Sequence, residues 1–202
     1  MTLSLAPPSA AYPSLAEENP LDVLRLIRSE NVGPVTFFNL VSYFGSVQEA
    51  VERAPEMARR GGKKRAIRIT PAQQAEKELE LAQRFGARIL LYGAEDYPAW
   101  LTAIYDPPPL LMALGDPQHW KVRACLAMVG SRNASANGFA FAKRLARDCA
   151  EAGFTVVSGL ARGIDTAVHQ GSLSQGTVAA IAGGIDNIYP PENDALYKQL
   201  SD

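Results

Sequence analysis

The chain has 202 residues, 47% hydrophobic, 8% aromatic and 20% charged. That apolar share and length can bury a core and exclude global disorder, and no apolar run approaches the roughly 20 residues of a membrane-spanning helix. Twenty basic against twenty-one acidic side chains leave a net charge of −1, which excludes coating of nucleic acid through overall positive charge. The N-terminus lacks the basic and long apolar regions of a signal peptide. Two cysteines, Cys125 and Cys149, are too few for a disulfide framework or a four-ligand zinc site. Their apolar surroundings predict reduced core residues and a cytoplasmic protein.

Residues 1–19 are rich in Ala, Pro and Ser without periodicity, which predicts a disordered leader. Residues 20–85 follow helical spacing. Leu21, Leu24, Ile27 and Arg28 mark one helix and Phe37, Leu40, Val41 and Phe44 a second, with Asn31-Val32-Gly33-Pro34 breaking between them. Ser46 is placed to cap a third helix through Val51. The stretch 59–68, RRGGKKRAIR, predicts an exposed basic loop, either solvated or an accessory nucleic-acid contact. Thr70 at the N-cap with Pro71 at the first position predicts a fourth, charged helix. This is a small all-helical unit.

From residue 86 to 202 the period changes. ARILLY (87–92), PLLMAL (109–114), ACLAMVG (124–130), FTVVSG (154–159) and TVAAIAG (177–183) are short apolar runs, the pattern of strands buried on both faces. Helical segments at 138–153 and 165–176 separate the last three. Strand, helix, strand, helix, strand at this spacing predicts an α/β domain with a doubly wound parallel sheet. The apolar helical positions Phe37, Phe44, Phe139, Phe141 and Leu145 are assigned to cores.

Ligands of such sheets bind beyond the carboxyl ends of the strands, where three loops carry unusual composition. VGSRNASANG (129–138) offers Gly130, Ser131, Arg132 and Ser135. SGLARGIDTAVH (158–169) offers Ser158, Gly159, Arg162, Gly163 and Asp165. AGGIDNIYPPEN (182–193) offers Gly183 and Gly184. Glycines let backbone amides approach a ligand, helix N-termini add partial positive charge, and arginine supplies a fixed cationic fork. Together they predict a phosphate site. Tight turns with locally paired arginines are the alternative for each loop taken singly, including an Arg132–Asp165 ion pair. Neither the dinucleotide fingerprint G-x-G-x-x-G nor the P-loop is present, which argues against a nucleotide cofactor. Asp165 and His169 stand i, i+4 on one helix, a spacing open to acid–base work or to capping and packing. No nucleophile accompanies them. Tyr189, beside Pro190-Pro191, either stacks on a base or packs into a rigid turn.

VGSR (129–132), SGLARGIDTAVH (158–169) and GTVAAIAGGIDNIYPPEN (176–193), with YPAWLTAIYDPPPLLMALGD (97–116) upstream, resemble the DNA-processing protein A (DprA/Smf) family over roughly residues 20–202. The resemblance implies an extended Rossmann-like domain after a sterile-alpha-motif-like or helix-hairpin-helix-like one. It also implies a non-enzymatic cytoplasmic protein that binds and protects single-stranded DNA. Such a protein helps load the RecA recombinase in natural transformation, and is a homodimer at full length without a cofactor or membrane association. Two departures stand out: Asn137 occupies the usual aromatic position before Gly138, and the chain stops at Asp202, so the family's C-terminal portion is expected to be missing. The competing reading is a nucleoside-monophosphate phosphoribohydrolase of the related Rossmann-like group. IAGGIDN (181–187) lacks that group's P-G-G-x-G-T and its glutamate.

Overall fold

The computed structural model describes residues 12–60, 67–121 and 124–201, with residues 58–60 described in backbone only. The chain divides into two compact units, Met1–Ala113 and Leu114–Asp202.

The first unit begins with α1 (Pro20–Ile27), α2 (Pro34–Phe44), α3 (Val47–Arg60) and α4 (Ala72–Arg84). Each start has a local cause. Asn19 accepts the Leu21 N–H at 2.9 Å, and Pro20 and Pro34 sit where no helical N–H partner is needed. Ser46 Oγ accepts the Glu49 N–H at 3.2 Å. Gly45, at φ 90°, ends α2 in the left-handed region. Val23, Leu24, Leu26, Phe37, Phe38 and Val47 are fully buried between these helices.

Four expectations for this unit are corrected. Residues 12–19 pack and are not loose: Tyr12 stacks on Phe38 at 4.2 Å, Leu15 is fully buried, and its N–H donates to Tyr92 O at 2.8 Å. Residues 1–11 lie outside the described residues. Thr70 does not cap α4, whose N-cap is Pro71; the Thr70 N–H donates to Ser29 Oγ at 3.1 Å, and its carbonyl accepts from Arg25 Nε at 3.2 Å. Helix α3 continues past Val51 to Arg60, so the basic stretch starts inside a helix; residues 61–66 and the side chains of Arg59 and Arg60 lie outside the described residues. Phe44 is half-buried, not fully in the core.

The unit also contains β1 (Arg88–Leu91) and β2 (Leu110–Ala113), paired antiparallel with Leu90 opposite Leu111. The two apolar runs 87–92 and 109–114 therefore make their own sheet beside the helices, and the first unit extends to Ala113, past the expected boundary at residue 85. An apolar run carries no signal for strand direction.

The second unit holds a parallel sheet of β3 (Cys125–Ala127), β4 (Thr155–Ser158) and β5 (Thr177–Ala179) in the order β3-β4-β5. Leu126 stands opposite Val156, and Val157 opposite Val178. Helices α5 (Ala136–Glu151) and α6 (Ile164–Ser172) make the crossovers, and α7 (Asp194–Ser201) follows the third loop. This is the mixed helix-and-sheet architecture with a parallel sheet that the strand–helix alternation predicts. Ala142, Ala146, Ala150, Val156, Ala167 and Val168 form the core, with Met128, Phe139, Cys149 and Ile164 packed against it. Small residues bring the helices close: a Cβ on Gly171 would overlap the carbonyl of Lys143.

Only part of the expected core is buried. β3 lies at the sheet edge, and Cys125 and Ala127 are exposed. On α5, Phe141 and Leu145 are 57% and 41% exposed, because the stripe Ala142, Ala146, Ala150 is the face that packs inward. The core positions assigned to Cys125, Phe141 and Leu145 are thus corrected. Among the described residues no helix is long and apolar enough to cross a membrane.

Candidate nucleic-acid interface

Parallel strands point the same way, so β3, β4 and β5 deliver their three following loops to one edge of the second unit. Each loop is held by a different device.

The first and second loops interlock. Ile164 N–H donates to Ser131 O at 3.1 Å. A Cβ on Gly130 would sit 2.7 Å from Ile164 Cγ1, and one on Gly163 would overlap the carbonyl oxygen of Ser131 and lie 2.7 Å from that of Arg132. Gly163 also has φ 79°, a left-handed conformation that a side chain strains. Glycine is required at both positions by the neighbouring loop.

Asp165 organises the second loop from below. Its Oδ2 accepts the N–H groups of Gly159 and Ala161 at 3.2 and 3.3 Å, and the residue is 6% exposed. The carboxylate faces its own loop and is not paired with Arg132. His169 is fully buried behind it. Thr177 Oγ1 donates to Val156 O at 2.6 Å and therefore takes the His169 Nδ1 proton at 3.0 Å, leaving Nε2 without a partner. Burial pushes the imidazole down to about 4, against the opposing pull of Asp165. A neutral, enclosed imidazole and a carboxylate spent on two amides are scaffold. Packing holds for His169, whereas Asp165 is corrected both as a phosphate contact and as a helix cap: the N-cap of α6 is Gly163 without a side-chain bond, and the carboxylate holds loop amides that precede the helix.

The third loop is tied to the second by a residue that the sequence did not single out. Asn193, 4% exposed, donates Nδ2 to Leu160 O at 2.9 Å and to Thr166 Oγ1 at 3.0 Å. Thr166 in turn donates to Ala161 O at 2.8 Å. Leu160 sits at φ 56°, a backbone twist without glycine that this network holds in place. An asparagine closing a PPEN turn was the available signal. Glu192 was also missed: it pairs with Arg162 at 2.8 Å, both side chains more than half exposed. Its carboxyl is held below the usual carboxylate range by its own backbone N–H, and less by Arg162.

The predicted site residues therefore separate by geometry. Ser158 is corrected as a ligand donor: it is 3% exposed, and its hydroxyl donates to Met128 O at 2.7 Å. Ser135 Oγ accepts the Gly138 N–H at 3.1 Å as the N-cap of α5, and Ser131 Oγ accepts the Asn133 N–H at 3.1 Å; each keeps its hydroxyl proton. Gly130, Ser131, Arg132, Arg162, Gly183 and Gly184 are exposed. The amides of these six residues and of Gly163 donate to no acceptor among the described residues. Arg132 has no hydrogen bond or ion pair there either. Undirected N–H groups beside a guanidinium are the chemistry that suits an anion. Among the described residues no cluster of His, Cys, Asp or Glu could hold a metal ion.

A parallel α/β sheet preceded by a small helical domain defines a Rossmann-like class of protein. Residues 88–202 match the family model described as DNA recombination-mediator protein A, and residues 17–80 match the DprA-like N-terminal HHH domain. The chain belongs to this DprA/Smf family. It is 31% identical over 183 residues to "Protein Smf" of Synechocystis sp., covering 85% of this chain and 46% of that protein. It is 39% identical over 118 residues to "DNA processing protein DprA" of Bacillus subtilis, covering 57% and 40% respectively. The X-ray structure of DNA processing protein A from Streptococcus pneumoniae is similar with a TM-score of 0.61 at 26% identity, over 89% of this chain and 62% of that one. The chain thus spans less than half the length of these curated relatives.

Proposed function

We propose that this chain is the single-stranded-DNA-binding part of a recombination mediator, a binding protein and not an enzyme. It reads phosphates at the edge formed by Gly130–Arg132, Ser135, Arg162–Gly163 and Gly183–Gly184. The observation that carries the reading is the row of exposed, undirected amides beside the unpaired Arg132. Such groups contact the backbone of a nucleic acid and carry no information about base sequence. The family's description as a recombination mediator supports DNA as the phosphate source. We further propose a role in DNA processing during transformation, with transfer of the strand to the RecA recombinase in the cytoplasm. We also propose that the protein forms a homodimer. The phosphoribohydrolase alternative gains nothing from Asp165 and His169, which are buried and bonded inward.

Fluorescence anisotropy with a labelled oligonucleotide tests the reading. Single strands of different composition should compete alike, and duplex should compete poorly. Duplex that displaces the label as well as single strand does would overturn it. Steady release of base from a nucleoside monophosphate would favour the enzyme instead.

A further inference from the structure

We propose that Tyr189 is a base-stacking platform of the phosphate-reading edge, so that this unit grips the strand by a base as well as by its backbone. The inference rests on the single-stranded DNA reading above and adds the chemical group that distinguishes a nucleic acid from any other phosphate.

Tyr189 is 67% exposed although both chain neighbours turn inward: Pro190 is buried and Ile188 half-buried. The ring is therefore presented outward by a backbone that is itself anchored. The anchoring falls on the next residues, Glu192 on Arg162 at 2.8 Å and Asn193 on Leu160 O at 2.9 Å. Asn193 N–H also returns to Pro190 O at 3.0 Å, which closes the turn directly after the tyrosine. Two residues of chain separate Tyr189 from Glu192, which holds the Arg162 guanidinium, so the two Cα atoms are at most about 11 Å apart. On this proposal, a nucleotide whose phosphate meets Arg162 sets its base against this ring.

The unit's other exposed aromatics are placed otherwise. Phe154 precedes β4, at the amino end of the strands. Phe141 carries the Arg144 guanidinium 6.0 Å over its ring. Tyr189 alone among the described exposed aromatics of this unit lies in a loop at the carboxyl ends of the strands. An exposed ring beside a cationic phosphate site is the pairing that single-strand binding uses, because every base has a face to stack and only the backbone is charged.

The experiment compares oligo-dT with an abasic strand of equal length and charge, on the wild-type chain and on Tyr189→Ala and Tyr189→Phe. Wild type and Tyr189→Phe should prefer oligo-dT over the abasic strand by about 5- to 100-fold. Tyr189→Ala should lose that preference while keeping the wild-type salt dependence and melting temperature, since no charge and no buried contact is removed. Equal binding of both strands by wild type overturns stacking and leaves the phosphate reading intact. A Tyr189→Phe variant as weak as Tyr189→Ala also overturns it, by assigning the effect to the hydroxyl. If neither strand binds wild type, both readings fail together.

Discussion

Replacing Gly163 by alanine perturbs the interlock between the first two loops at its tightest point. The added methyl group overlaps the Ser131 carbonyl oxygen and stands 2.7 Å from that of Arg132, and both obstacles are backbone. Holding a non-glycine residue at φ 79° costs roughly 1–3 kcal/mol, and forcing a methyl group into a filled space about the same again. The sum, roughly 2–6 kcal/mol, is a large share of a domain's usual stability. Gly153→Ala is the control at a positive φ, +93°, with nothing within 4 Å of the new methyl group; it should cost about 1–2 kcal/mol. Urea or thermal unfolding of both variants separates strain from collision. Gly163→Ala should unfold well below Gly153→Ala, with a melting temperature lower by roughly 4–8 °C per kcal/mol. It should also bind single strands more weakly, because the Ser131 and Arg132 amides move. Equal stability of the two variants would refute the interlock.

Glu192→Gln should strengthen oligonucleotide binding a few-fold, because it removes a carboxylate beside the phosphate site and frees Arg162 from a pair in which both side chains are more than half exposed. An exposed pair of this kind contributes little to stability and is screened by salt, so a titration at low salt will read the gain, and unchanged or weaker binding counts against Arg162 as a contact. The low folded pKa of His169, about 4 against 6.5 for the free side chain, means the unfolded chain binds the extra proton first as pH falls. Stability should therefore be flat above about pH 7 and decline from pH 6.5 to pH 4 by about 3 kcal/mol, and His169→Gln should flatten that decline in pH-dependent urea melts.

Much of the edge was legible in the sequence because its causes are local. Ser135 caps α5 from three residues away, and the glycines at 130 and 163 stand where loops follow parallel strands. What was misread depends on partners distant in the chain. Thr70 has every mark of an N-cap, but its N–H goes to Ser29, just past the end of α1. Leu15 sits in an Ala/Pro/Ser-rich stretch whose composition signals looseness, yet it is fully buried and bonded to Tyr92. Ser158 resembles a loop hydroxyl and is the last residue of a buried strand. The role of Asn193 depends on Leu160 and Thr166, far earlier in the chain. Apolar runs 87–92 and 109–114 announce strands but not that they pair antiparallel, apart from the parallel three.

The salt dependence of oligo-dT binding, measured on wild type and Arg132→Ala, tests the phosphate-reading edge most directly. Arg132 is exposed, so its removal should leave the melting temperature unchanged. Loss of one charge-assisted contact should weaken binding by roughly 1.5–3 kcal/mol. The slope of log K against log salt should flatten by about 0.7, the value for one phosphate on a single strand. Wild-type affinity and slope in Arg132→Ala would contradict the assignment.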